Sequence, residues 1–189
     1  MLNYLSSAAG RLTMTGALVA FTAIGAQAQN PMVGGAEMLP EQNIVENASN
    51  SADHTTLVSA VQAAGLVETL SGEGPFTVFA PTNAAFEALP EGTVDTLLMP
   101  ENQEQLANVL TCHVLAAEAT SETIAQQIAD NGGSVVMNTV GGCQFTARME
   151  GDMLVIEDGQ GRTATVTQAD VDQSNGVIHV IDQVLLPAS

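Results

Sequence analysis

The spacing of hydrophobic positions changes character along the chain, from helical in its first part to strand-like from Gly132 onward. Ile44, Val45 and Ala48 predict a short helix. A second follows, capped by Asp53 or Thr55, in which Leu57, Val58, Val61 and Ala64 share one face until Gly65 ends it. Leu66 to Leu70 adds a further turn. Ser71-Gly72-Glu73-Gly74-Pro75 reads as a reverse turn that releases Phe76-Thr77-Val78-Phe79-Ala80, apolar on both faces as a buried strand requires. Pro81 stops that strand, and Thr82 or Asn83 is placed to cap a helix carrying Ala85, Phe86 and Leu89. Beyond Pro100, Leu106, Val109, Leu110 and His113 form one helical stripe, so His113 is expected to face the core. A short helix over Ser121 to Ile128, capped by Ser121, completes the helical part.

The later apolar runs are Val135 to Met137, Cys143 to Ala147, Met153 to Ile156, Ala164 to Thr167 and Val177 to Leu186, separated by Gly, Asn and Asp turns. Helices followed by strands predict an α+β domain in which helices cover part of an antiparallel sheet system.

The N-terminal end has a different logic. In residues 1–28 Arg11 is the only side-chain charge, an apolar run from Leu12 to Ala26 follows it, and Ala26-Gln27-Ala28 offers small residues at a cleavage site. A signal peptide over 1–28 is expected, with the mature chain starting at Gln29. The run is too short and too rich in Thr and Gly for a membrane span, so no transmembrane anchor is expected in the mature chain. Residues 29–42, with Pro31, Gly34, Gly35 and Pro40, read as a flexible leader, and the domain is placed over 43–187.

Composition narrows the functional classes. The 189 residues are 46% hydrophobic, which suffices for one core. After removal of 1–28, 21 carboxylates face two arginines, Arg148 and Arg162, for a formal charge of −19. Such a surface repels phosphate backbones, so no nucleic acid is expected as a partner. The acidic segment Asp170-Val171-Asp172-Gln173-Ser174 fails as a calcium loop, because Asn175 stands where the turn glycine belongs and Ile181 where the bidentate Glu belongs. No metal site and no cofactor are expected.

Cys112 and Cys143 lack CxxC spacing and a His cluster. In an exported chain such a pair favours a disulfide, the alternative being a nucleophilic Cys112 beside His113, which adjacent helical residues cannot easily bring together. His54 is placed near a helix start and exposed. His113 and His179 read as structural hydrogen-bonders rather than bases. No serine elbow, phosphate loop or His-Glu-x-x-His helix occurs, and the chain is expected not to be an enzyme. Asn47-Ala48-Ser49 is a formal glycosylation triplet.

The residues also carry a family resemblance. The run from Phe76 to Phe86, with Thr82 and Asn83, resembles the first signature of the fasciclin domain. Asn175 to Pro187, with His179, resembles the second, and Leu110 to Leu115, with His113, resembles the middle motif, Cys112 replacing its usual tyrosine. The resemblance implies a wedge of β-sheets with a helical layer. It also implies an extracellular adhesion or matrix module that binds a cell-surface or matrix protein or a polysaccharide, secreted or periplasmic, with no common catalytic site. In animal members an Asp-Ile pair before the second signature is implicated in receptor binding. Asp170-Val171 holds that position, so Asp170, Val171 and Asp172, in a loop from Gln168 to Ser174, are the candidate partner-binding residues. Some members are reported to hold an apolar pigment or lipid, which makes a carrier with a groove between helices and sheet the alternative function.

Overall fold

The computed structural model describes residues 30–90 and 92–188, so the expected signal peptide and the expected cleavage before Gln29 lie outside the described residues. Strands β1 (Met32–Val33) and β2 (Ala36–Glu37) form a small hairpin. A helical run follows: α1 (Ile44–Asn50), α2 (Thr55–Ala63) and α3 (Val67–Leu70). Strand β3 (Phe76–Pro81) then leads into α4 (Asn83–Glu87), α5 (Thr93–Leu97), α6 (Gln103–Cys112) and β4 (Val114–Leu115). Helix α7 (Ser121–Asp130) precedes β5 (Ser134–Asn138), β6 (Gln144–Glu150), β7 (Met153–Glu157), β8 (Thr163–Gln173) and β9 (Gly176–Ile181).

Seven strands make one sheet in the order β4-β3-β9-β8-β7-β6-β5. Every neighbouring pair is antiparallel except β3 and β9, which run parallel in register from Phe76 opposite Gly176 to Pro81 opposite Ile181. These two strands are buried almost throughout, as their uninterrupted apolar sequences require. Gly176 lets them approach, since a Cβ there would overlap the Phe76 carbonyl.

The sheet carries two apolar clusters. Helices α1, α2, α4 and α6 pack Ile44, Leu57, Phe86 and Leu110 around Val78 and Val180. Helix α7 lays Ile124 and Ile128 over Phe145, Leu154, Ile156 and Ile181. The α+β architecture with a helical layer is therefore as the sequence predicts.

Three local expectations change. The leader expected over 29–42 instead contributes the β1–β2 hairpin, with Val33 and Met38 buried in the first cluster. Buried Asn47 fastens it, accepting from Leu39 N at 3.0 Å and donating to Leu39 O at 2.8 Å. The same burial leaves the triplet Asn47-Ala48-Ser49 without an accessible amide. The apolar run to Leu186 leaves the sheet after Ile181, because its later backbone groups are met by side chains. Asp158 accepts from Leu186 N at 3.1 Å and His113 from Leu185 N at 2.9 Å, while Arg162 donates to Val184 O at 2.7 Å.

Candidate functional site

The motif residues are fasteners between segments remote in sequence. Thr82 caps α4, accepting from Ala85 N at 3.3 Å. Asn83, the other cap candidate, caps a different helix: its Oδ1 accepts from Thr56 N at 3.0 Å and its Nδ2 donates to Ala52 O at 2.9 Å. Asn175 accepts from Ile44 N at 3.1 Å and donates to Leu70 O at 2.8 Å and Gly72 O at 3.0 Å, joining the first turn of α1 to the end of α3.

The histidines do the same work from inside. His113 is 2% exposed, with Nδ1 2.8 Å from Val109 O and Nε2 accepting from Leu185 N at 2.9 Å. A carbonyl needs a donor and an N–H needs an acceptor, so these partners select the neutral Nδ1–H tautomer. Burial pushes the His113 pKa down to about 4, against smaller opposing contributions from the Val109 carbonyl and Asp158. His179 has the opposite tautomer: Nε2–H points at Ala119 O, 2.8 Å away, and Nδ1 accepts from Asp170 N at 3.2 Å. It stacks on Phe79 with ring centroids 5.6 Å apart, and burial again lowers its pKa. His54, expected to be exposed, is 2% exposed and bonded to Ser51 Oγ at 2.9 Å, because the 3₁₀ turn over Ala52–His54 points its ring inward. Burial lowers its pKa too.

The candidate partner-binding residues separate on inspection. The expected loop from Gln168 to Ser174 is strand up to Gln173, interrupted by irregular register between Val166 and Val171. Val171 is fully buried against the first apolar cluster and cannot meet a partner directly. Asp170 takes φ 56, the one positive φ outside glycine among the described residues, and spends its carboxylate on α7. Its Oδ1 accepts from Ser121 N at 2.7 Å, and its Oδ2 is bonded to Ser121 Oγ. Thr120 is the N-cap of that helix in place of Ser121. Asp172 alone is exposed without a side-chain bond. It lines an open polar cleft of about 690 Å³ together with Glu73, Glu118, Gly74 and Asn175. The cleft wall at Glu118 is held by Thr77, which donates to Ala117 O at 2.7 Å and accepts from Ala119 N at 2.8 Å.

The apolar groove required by the carrier alternative lies between α1, α2, α6 and β3, lined by Ile44, Val58, Val78 and His113, and measures about 30 Å³. A ligand pocket of about 300 Å³ or more would be needed. Apolar side chains fill the space, so the carrier reading lacks a cavity here.

Cys112 and Cys143 are joined, with Cα atoms 5.4 Å apart, which ties the end of α6 to the start of β6 and leaves no free thiol among the described residues. One cluster escaped the sequence reading. Asp158, buried at the β7–β8 turn, accepts from Gln160 N at 2.9 Å, Arg162 N at 2.9 Å and Arg162 Nε at 3.0 Å, besides Leu186 N. The spacing Asp-Gly-Gln-Gly-Arg is a turn signal, but it does not announce that Arg162 reaches 22 residues ahead. Among the described residues no group of His, Cys, Asp or Glu is arranged to hold a metal, and no helix is long and apolar enough to cross a membrane.

The chain is similar to several known proteins. Protein sll1483 of Synechocystis sp. is 49% identical over 148 residues, covering 76% of this chain and 73% of its own. Transforming growth factor-beta-induced protein ig-h3 of Sus scrofa is 38% identical over 135 residues, 69% of this chain but 17% of its own. The solved FAS1 domain pair from the insect cell adhesion molecule fasciclin I superimposes with TM-score 0.54 at 26% identity, over 67% of this chain and 42% of that one. A family model for the fasciclin domain matches residues 52–187, a span that holds all three sequence motifs and the fasteners built from them, and the chain belongs to that family.

Proposed function

We propose that this protein is an exported, non-enzymatic adhesion module that binds a protein or polysaccharide of a cell surface or extracellular matrix through the acidic cleft at Asp172. The observation that carries the reading is the contrast between two sets of polar residues. His113, His179, Asn83, Asn175, Asp158 and Asp170 spend their polar atoms on the protein's own backbone. Asp172, Glu118 and Glu73 stand exposed around an open cleft on that rigid frame. Two of the histidines are held neutral by their partners, which suits struts rather than proton carriers. Adhesion is also the role named for the insect fasciclin I.

The test is retention of envelope and matrix fractions from the source organism on the immobilised exported protein, at low and high salt. Replacing Asp172, Glu118 and Glu73 by Asn, Gln and Gln is expected to slow association several-fold at low salt, since exposed charges act mainly on encounter rate. Equal capture by the folded triple variant and wild type would remove the cleft from the reading.

A further inference from the structure

A second surface feature starts three residues along the chain from Glu118, at Ser121. Along β6 the core-facing alternation runs Phe145, Ala147, Met149. Helix α7 covers the first two, which are 1% and 0% exposed, but leaves Met149 37% exposed. Met153, at the start of β7 and opposite Glu150 in the β6–β7 pairing, is 54% exposed. Met149, Leu154, Val166 and Ala169 floor an open groove of about 450 Å³, walled on one side by the first turns of α7 and edged by Met153 next to the β6–β7 turn. Irregular register in β8 between Val166 and Val171 gives the groove both Val166 and Ala169, which regular alternation would place on opposite faces. Its wall is held in place, because the start of α7 is bonded to Asp170 and the preceding Ala119 carbonyl to His179.

Charge decides what the groove accepts. Its rim carries Glu122 and Asp152, both exposed. Among the described residues both arginines are already engaged, Arg148 with Glu150 and Glu157 and Arg162 with Asp158, and the chain has no lysine. A second copy would present the same anionic surface, and an anionic bilayer would be repelled. Methionine side chains adapt their shape to differing apolar partners. We infer that this groove docks a cationic amphipathic segment of another protein, its apolar side chains on Met149 and Met153 and its lysines or arginines against Glu122 and Asp152. The inference does not depend on occupancy of the Asp172 cleft.

The test titrates the exported protein with a synthetic leucine-lysine amphipathic peptide. Any basic peptide is drawn to so acidic a protein, so the decisive comparison leaves charge unchanged. Met149→Gln with Met153→Gln is expected to weaken binding about tenfold, and Met32→Gln with Met99→Gln, exposed methionines elsewhere, to leave it as in wild type. A serine-lysine peptide of equal charge is expected to bind about tenfold more weakly than the leucine-lysine peptide. Asp172→Asn is expected to have no specific effect. Equal affinity of the folded Met149/Met153 variant and wild type would overturn the inference, as would an equal loss in the Met32/Met99 control. A concentration-dependent dimer in sedimentation velocity that the Met149/Met153 variant abolishes would also overturn it, by giving the groove to a second copy.

Discussion

The geometry around His113 makes stability depend on pH in a way that can be worked through. Its Nε2 accepts the Leu185 N–H, so protonation would set two donors against each other in a site 2% exposed to solvent. The ordinary imidazole value is 6.5 and the folded one about 4, so between these pH values the unfolded chain binds a proton that the folded chain refuses. Stability is therefore fully present above pH 6.5, falls as pH drops towards 4, and loses nothing further from this group below that. Linkage across the whole window amounts to about 3 kcal/mol, of which about 2 kcal/mol is lost by pH 5. His54 and His179 are shifted the same way and steepen the wild-type dependence. The contribution of His113 is isolated by comparing urea unfolding of wild type and His113→Gln at pH 7.5 and pH 5. The variant is expected to be less stable at pH 7.5 but to lose about 2 kcal/mol less between the two values. Carboxylate protonation affects both proteins alike and cancels. Imidazole NMR of the wild type provides a reading that needs no variant: an Nδ1–H tautomer still neutral at pH 5. Parallel losses in the two proteins, or titration of His113 near 6.5, would refute the argument.

Four further outcomes are expected. Asp158→Ala should cost about 3 kcal/mol in urea unfolding, because it strands Arg162 and the Leu186 amide together. Replacing both Cys112 and Cys143 by serine should cost about 3 to 4 kcal/mol by closure of a loop of 31 residues, and peptide mapping without reductant should recover the linked peptides. A chain beginning at Asn43 should lose about 3 to 5 kcal/mol by calorimetry, since burial of Val33 and Met38 and the Leu39 bonds to Asn47 go with the hairpin. Asp170→Asn should cost under about 1 kcal/mol and Asp170→Ala about 2 kcal/mol in thermal unfolding, because asparagine tolerates positive φ and can still accept from Ser121 N.

Some of this molecule is decided by local pattern and some only by assembly. Helices α2 and α6, the buried strand β3 and the change from helices to strands follow from apolar spacing and from Gly and Pro breaks, which act within a few residues. The inward turn of His113 belongs here, because helical geometry alone puts it on the stripe of Leu106, Val109 and Leu110. The motif residues were legible as candidates, but their individual tasks were not. Whether Thr82 or Asn83 caps α4 depends on Asn83 finding Thr56 N, 27 residues away. Val171 reads as one residue of an acidic loop, yet it is buried because β8 continues to Gln173 and pairs it opposite Ile178. Asp170 and Asp172 are alike in sequence; a positive φ and the nearby start of α7 commit the first to Ser121 and leave the second in the cleft. The hairpin over 32–37 is too short and too rich in glycine to announce itself, and it is held by Asn47 and the apolar cluster rather than by its own propensity. Backbone preference and side-chain period are local properties, whereas burial and hydrogen-bond pairing depend on which distant segment arrives at the other side.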